Sequence, residues 1–228
     1  MTRIELAATN NAYLYEAVCT AHGCDTDFSD FLMLCKGVPP RFYGQAVTLM
    51  EGAAESVRAR VTGGFKDSFH DVEPGEDYAL LFEASWIWHD AGTSGETALT
   101  WTRASTDAEL QVWEDGWATG DLEASDFPRQ FPASLLDRTD FAFFSAWRDG
   151  LCVGGTALNC SPGVVGVSNV YSRGDHGVEV YRDLARLAAD AFPGRPLVGY
   201  EREASLAAAV DAGFEAIGPL RVWVRRTD

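Results

Sequence analysis

Apolar positions along the chain switch repeatedly between helical and strand-like spacing. From Asn10 to Ala21, Tyr13, Leu14, Ala17, Val18 and Ala21 recur at helical intervals, and Gly23 follows as a stop. A loop carrying Asp25, Asp27 and Asp30 leads to an apolar Phe31–Cys35 run, and Pro39-Pro40 breaks the pattern. Gln45–Met50 is strand-like, and Ala53–Val61 predicts a short helix closed by Gly63-Gly64. Phe65–Val72 and Tyr78–Trp88 predict two strands turned at Pro74-Gly75. Asp90–Gly95 is the best linker candidate, which divides the chain into an N-terminal α/β portion (1–95) and a second domain (98–228).

The second part has a more regular rhythm. Leu99–Ala104 predicts a strand, and Thr106 and Glu109 have the spacing of a capping box opening a helix through Trp117. A short helical stretch near Phe131–Leu136 precedes strands at Phe141–Trp147, Leu151–Cys160 and Val164–Tyr171. Their joints, Arg148-Asp149-Gly150 and Ser161-Pro162-Gly163, carry turn chemistry, so an antiparallel meander is expected. A helix over Val178–Phe192, a strand at Pro196–Tyr200, a small helix at Ala204–Ala212 and a strand at Glu215–Arg225 complete the order. Gly218-Pro219 marks a bulge in the last strand. The fold class is α+β.

Composition narrows the function. The 228 residues are 46% hydrophobic with net charge −16, a globular composition. The two parts, 1–95 and 96–228, each carry a net −8, so the acidity is a solvated surface rather than a tail. Such a chain is a poor partner for nucleic acid, which demands Lys and Arg to displace counterions, and for an anionic membrane surface. With no signal-like or membrane-length apolar segment, a cytoplasmic protein acting on a small-molecule substrate is expected; oligomeric state is left open. Five cysteines do not suit a disulfide framework and read as reduced. Cys19, His22, Cys24 and Cys35 match no common zinc spacing, so no metal is expected. The Trp86/Trp88 alternation and the nearby Trp101, Trp113 and Trp117 fit a core or seam, with an apolar pocket as the alternative.

The element order of residues 98–228 resembles the GNAT acyltransferase family. The closing segment carries the likeness best: Leu197–Glu201, then Ala212-Gly213-Phe214, then Leu220–Val224. The resemblance implies a mixed sheet flanked by helices, with acetyl-CoA or another acyl-CoA bound where the fourth strand parts from the fifth. The N-terminal portion reads as a degenerate partial copy of the same unit. The implied activity is acyl transfer to a small-molecule amine. Alternatives on the same scaffold are a non-catalytic ligand-binding or regulatory protein, or a repurposed biosynthetic enzyme.

The resemblance also assigns residues. Asn169 and Val170 in the fourth strand, and Arg173, Gly174 and Gly177 before the following helix, stand where the acyl-CoA binds, with backbone N–H groups facing its pyrophosphate. The family pattern of Arg or Gln, two residues, Gly, one residue, Gly or Ala is not met in either register of Arg173–Val178. Ala209 stands where many members place a tyrosine acid. Candidates for acid–base work are therefore Glu201, a base if burial raises its pKa, and Tyr171, Tyr200 and His176 at strand ends around the expected cleft.

Overall fold

The structure, a computed structural model, describes residues 1–91, 96–118 and 129–226. Residues 92–95 of the linker candidate lie outside the described residues. Among the described residues five α-helices flank one mixed sheet: α1 (Arg3–Ala21), α2 (Ala54–Arg60), α3 (Asp107–Ala118), α4 (Gly177–Ala191) and α5 (Glu203–Asp211), with a short 3-10 turn at Ala133–Asp137. The strands are β1 (Asp25–Phe28), β2 (Leu32–Lys36), β3 (Ala46–Thr48), β4 (Phe65–Asp67), β5 (Tyr78–His89) and β6 (Thr100–Arg103), then β7 (Phe141–Arg148), β8 (Leu151–Ser161), β9 (Val164–Ser172), β10 (Leu197–Glu201) and β11 (Glu215–Arg225).

The α+β expectation holds, and the β7–β8–β9 meander forms as the turns predict. α3 opens with the expected box: Thr106 N–H donates to Glu109 at 3.0 Å and Glu109 N–H to the Thr106 hydroxyl at 3.3 Å. The bulge in β11 falls between Ala216 and Gly218.

Three elements differ from expectation. α1 begins at Arg3, not Asn10, because Thr2 and Glu5 form a capping box that satisfies its first N–H groups. Asp25–Phe28 is a strand, not a loop: β1 is an edge strand, where acidic residues are tolerated and discourage pairing with another chain. Finally, β4 and β5 do not pair across Pro74-Gly75, because β11 lies between them, antiparallel to both.

That interposition organises the molecule. The strand order is β1-β2-β3-β4-β11-β5-β10-β9-β8-β7-β6. Setting β6 aside, the order reads the same from either end when β1–β5 are exchanged with β7–β11. Each half runs through antiparallel strands into a parallel β-α-β unit, β3-α2-β4 or β9-α4-β10. The last strand of each half then crosses to extend the other, β5 onto β10 and β11 onto β4. This symmetric order is what an N-terminal copy of the same unit requires.

Side-chain alternation on the exchanged strands seals both faces. Ile87 of β5 joins Val165, Val167, Leu184 and Leu197 beneath α4 and α5. Ala84, Trp86 and Trp88 point the other way, onto Ala7 and Ala8 of α1. A second core under α1 and α3 packs Trp113 edge-on to Phe131 and Phe143, with ring centroids at 5.1 and 4.9 Å. α1 is pinned to each half by one asparagine. The Asn10 amide donates to Asn159 O at 3.0 Å and Ser161 Oγ at 2.9 Å, while Asn11 Oδ1 accepts from Lys66 Nζ at 2.7 Å.

Candidate active site

Strands β9 and β10 pair in parallel only at Val165–Leu197 and Gly166–Val198, then part. The parting is built into both sequences. In β9 the register against β8 shifts between Ser168 and Tyr171, so Asn169 and Val170 form a bulge, with Asn169 in the left-handed region at φ 50°. In β10, Gly199 leaves room where a Cβ would stand 2.6 Å from Val167 O. Beyond this point a cavity of about 790 Å³ opens between the strand ends, α1 and the loop before β3.

Glu201 lies at the end of β10 and lines this cavity. Burial pushes its carboxyl up to about 7, a shift that the neighbouring Tyr181 hydroxyl of α4 moderates. Tyr200 turns to the α1 face, edge-on to Trp86 at 5.7 Å, and burial pushes its hydroxyl up to about 12. Asn169 and Val170 also line the cavity, so four of the sequence-derived candidates meet there.

The others lie apart. Tyr171 packs under α3, its ring 6.1 Å from that of Trp113 and its hydroxyl 3.7 Å from Cys152 Sγ; it does not line the cavity. His176 precedes α4, with Nδ1 2.7 Å from a Glu179 carboxylate that also accepts from Arg148 at 2.9 Å. These partners hold Glu179 below the usual carboxylate range. Arg173, Gly174 and Gly177 form the turn into α4, with Gly174 left-handed at φ 57°. A Cβ on Gly177 would meet Ala208 of α5 at 3.3 Å, so the glycine lets the two helices approach.

Several cavity residues escape sequence reasoning because the N-terminal half supplies them. Tyr15 of α1 and Tyr43 of the loop pack edge-on at 4.8 Å, and the Tyr43 hydroxyl reaches Asn169 at the bulge. Behind them lies Lys66, fully buried on β4, with Nζ 3.8 Å from the Tyr200 ring centroid and 5.0 Å from that of Tyr15. Burial holds its amine well below the usual lysine range, and the rings and Asn11 stabilise what charge it carries. A lysine within a strand core is a signal that could have been noticed: Lys36 and Lys66 are the only two in the chain.

An acyl-CoA fits this architecture in part. The parted strands and the bulge open a slot, and α4 begins without a side-chain cap, so its first N–H groups favour an anion. Asp175 and Glu179 oppose that anion, and Arg173 is the cation in the same turn. Among the described residues no cluster of three or more His, Cys, Asp or Glu side chains could hold a metal ion. His22 donates to or accepts from the Gln130 backbone at 2.9 Å, and all five cysteines are free. No described helix is long and apolar enough to cross a membrane.

This sheet is the GNAT fold. A GCN5-related N-acetyltransferase from Kribbella flavida superposes with TM-score 0.61 at 12% identity, over 97% of this chain and 96% of its own. A GNAT-family acetyltransferase from Novosphingobium aromaticivorans gives 0.59 at 13% identity, over 98% and 99%. A tandem GNAT protein from the clavulanic acid biosynthesis pathway gives 0.50 at 14% identity, over 86% and 79%, in keeping with a two-part arrangement. No family profile and no curated protein sequence matches the chain.

Proposed function

We propose that the protein is an acyl-CoA-dependent N-acyltransferase, using acetyl-CoA or a longer acyl-CoA to acylate a small-molecule amine in the cytoplasm. The observation that carries this reading is the coincidence of the parted β9 and β10 ends with Glu201, a carboxyl poised near 7 at the edge of the same cavity. A base that titrates there accepts a proton from an amine at neutral pH. In this reading residues 98–228 form the acyltransferase part, and residues 1–95 supply the acceptor wall through Tyr15 and Tyr43.

Backbone N–H groups at the Asn169–Val170 bulge hold the thioester carbonyl oxygen as charge develops on it. The amine nitrogen attacks the carbonyl carbon, its proton passes to Glu201, an N–C bond forms and the C–S bond breaks. The Tyr43 hydroxyl, beside Asn169, is placed to protonate the departing thiolate. A non-catalytic ligand-binding reading draws on one observation, the acidic Asp175 and Glu179 at the start of α4.

Thiol release from acetyl-CoA, followed with a panel of amines, separates the two. Glu201→Gln is expected to lower turnover about 100-fold, in the range of lost acid–base catalysis, with acetyl-CoA binding retained. Unchanged turnover removes Glu201 from the reaction. Acetyl-CoA binding without thiol release from any amine favours the ligand-binding protein.

A further inference from the structure

The walls of the cavity say more about the acceptor than the reaction does. Eight aromatic side chains among the described residues line it, including Phe42, Tyr43, Phe82, Trp86, Trp117 and Tyr200. Among the described lining residues Glu201 is the only carboxyl, and there is no Lys, Arg or His. Lys66 is shut behind Tyr200, its amine donating to Asn11 and facing ring planes. The other polar groups are neutral amides and hydroxyls, notably Asn11, Asn159, Ser168 and Asn169.

Exposed apolar side chains stand at its rim beside two cations, Arg41 at 5.1 Å over the Phe42 ring and Arg202 at 5.1 Å over the Phe82 ring, each taken up by a ring face. Val38 is 88% exposed, Leu81 58% and Phe42 55%, a cost to a protein that is otherwise strongly acidic at its surface. Phe42 is held in an unfavourable backbone conformation, φ 68°, which bulky residues avoid. The surrounding loop imposes it. Gln45 Oε1 accepts from the N–H groups of Thr62 and Gly63, both at 2.7 Å, and Gln45 N–H donates to Gly64 O at 2.6 Å. A Cβ on Gly44 would stand 2.9 Å from Gly64 O, so the loop is pressed against β4. Thus fixed, the Phe42 ring meets Trp117 edge-on at 5.5 Å, and the two form an aromatic corner.

We infer that the acceptor is an aromatic primary amine without a carboxylate, its ring seated at the Phe42–Trp117 corner and its amino group directed to Glu201. An arylalkylamine matches the chemistry: the ring finds edges and faces, and its one cation finds Glu201. An amino acid would place a second negative charge beside Glu201, with no Lys, Arg or His among the described lining residues to meet it. A polyamine would bring further cations where Glu201 is the one carboxyl among the described lining residues. Phe42 and Trp117 are specificity-determining residues, and both lie outside the usual reach of the parted strands. The inference rests on the acyltransferase reading.

The test compares tryptamine, phenethylamine, ethylamine, tryptophan and spermidine as acceptors for the full chain with acetyl-CoA. Tryptamine and phenethylamine are expected to exceed the other three in kcat/KM at least about tenfold, the worth of burying an aromatic ring. Phe42→Ala is expected to lower kcat/KM for tryptamine about tenfold more than for ethylamine. Thiol release that favours tryptophan or spermidine overturns the inference and leaves acyl transfer standing; no thiol release and no acetyl-CoA binding overturns acyl transfer itself. Calorimetry of tryptamine against tryptophan, without acetyl-CoA, reads the acceptor site independently of the reaction. Tighter tryptamine binding upholds the inference, and equal or reversed affinities overturn it.

Discussion

The two parallel β-α-β units occupy equivalent places in the sheet, yet one is open and the other sealed. β9 and β10 part after two paired positions and leave a cavity at their ends. β3 and β4 also pair at two positions, Ala46–Phe65 and Val47–Lys66, but polar groups knit the chain beyond them. The Thr48 hydroxyl accepts from Ser68 N–H at 2.8 Å, and the buried Asp67 carboxylate accepts from the N–H groups of Asp71 and Val72 at 3.2 and 3.1 Å. Arg221 of β11 then caps Asp67 at 3.1 Å and reaches Glu73 at 2.8 Å. The helices differ too: α4 spans 15 residues and α2 only 7. Topology alone therefore does not open a cavity. A bulge and a glycine open one unit, and a buried ion pair closes the other.

Breaking the seal should have the largest effect. Asp67→Ala leaves Arg221 only the exposed Glu73 carboxylate and the Val72 carbonyl, strips the N–H groups of Asp71 and Val72 of their acceptor, and is expected to destabilise the protein by about 3 kcal/mol, measured by denaturant unfolding. A loss below about 1 kcal/mol would mean that the ion pair does not hold this unit shut. Thr48→Ala removes only the acceptor for Ser68 N–H, and about 1–3 kcal/mol is expected in the same measurement.

The open unit is probed by pH. Glu201 titrates near 7 in the fold against an ordinary value of 4.5, so the folded protein holds this proton more tightly than the unfolded chain. The associated stabilisation is present in full below about 4.5 and is lost as pH rises through about 7. Glu201→Gln keeps the cavity polar without a charge. Its melting temperature should therefore gain on the native protein between pH 5 and pH 8, and a pH-independent difference would contradict the burial of this carboxyl. The smallest effect is expected at the turn into α4. Gly174→Ala meets no neighbour but must adopt φ 57°, and a loss of about 1 kcal/mol should appear as a small drop in melting temperature.

The sequence carries the C-terminal half well, because its signals are local. Asp149-Gly150 and Pro162-Gly163 specify tight turns, and Thr106 with Glu109 specifies a helix start wherever the chain goes. The exchange of β5 and β11 has no such signal. Alternating Trp86, Ile87 and Trp88 describe a strand buried on both faces, but nothing in that pattern names the partner strands. The site divides along the same line. Glu201, Tyr200, Asn169 and Val170 are found by position in the β-α-β unit. Tyr15, Tyr43 and Lys66 arrive through α1, a loop and β4 of the other half, contacts that only the assembled sheet creates. Tyr171 has the right position in β9 but the wrong face, since the bulge at Asn169 and Val170 interrupts the alternation before it.

The central claim is that the open unit, and not its sealed counterpart, receives acyl-CoA. Calorimetric titration of the native chain with acetyl-CoA tests it directly, with Gly199→Val as the partner experiment because a side chain there collides with Val167 O. One equivalent of acetyl-CoA bound to the native protein, weakened at least about tenfold by Gly199→Val and unaffected by Thr48→Ala, is the predicted result. No binding at millimolar acetyl-CoA, two equivalents bound, or a loss caused by Thr48→Ala and not by Gly199→Val would contradict it.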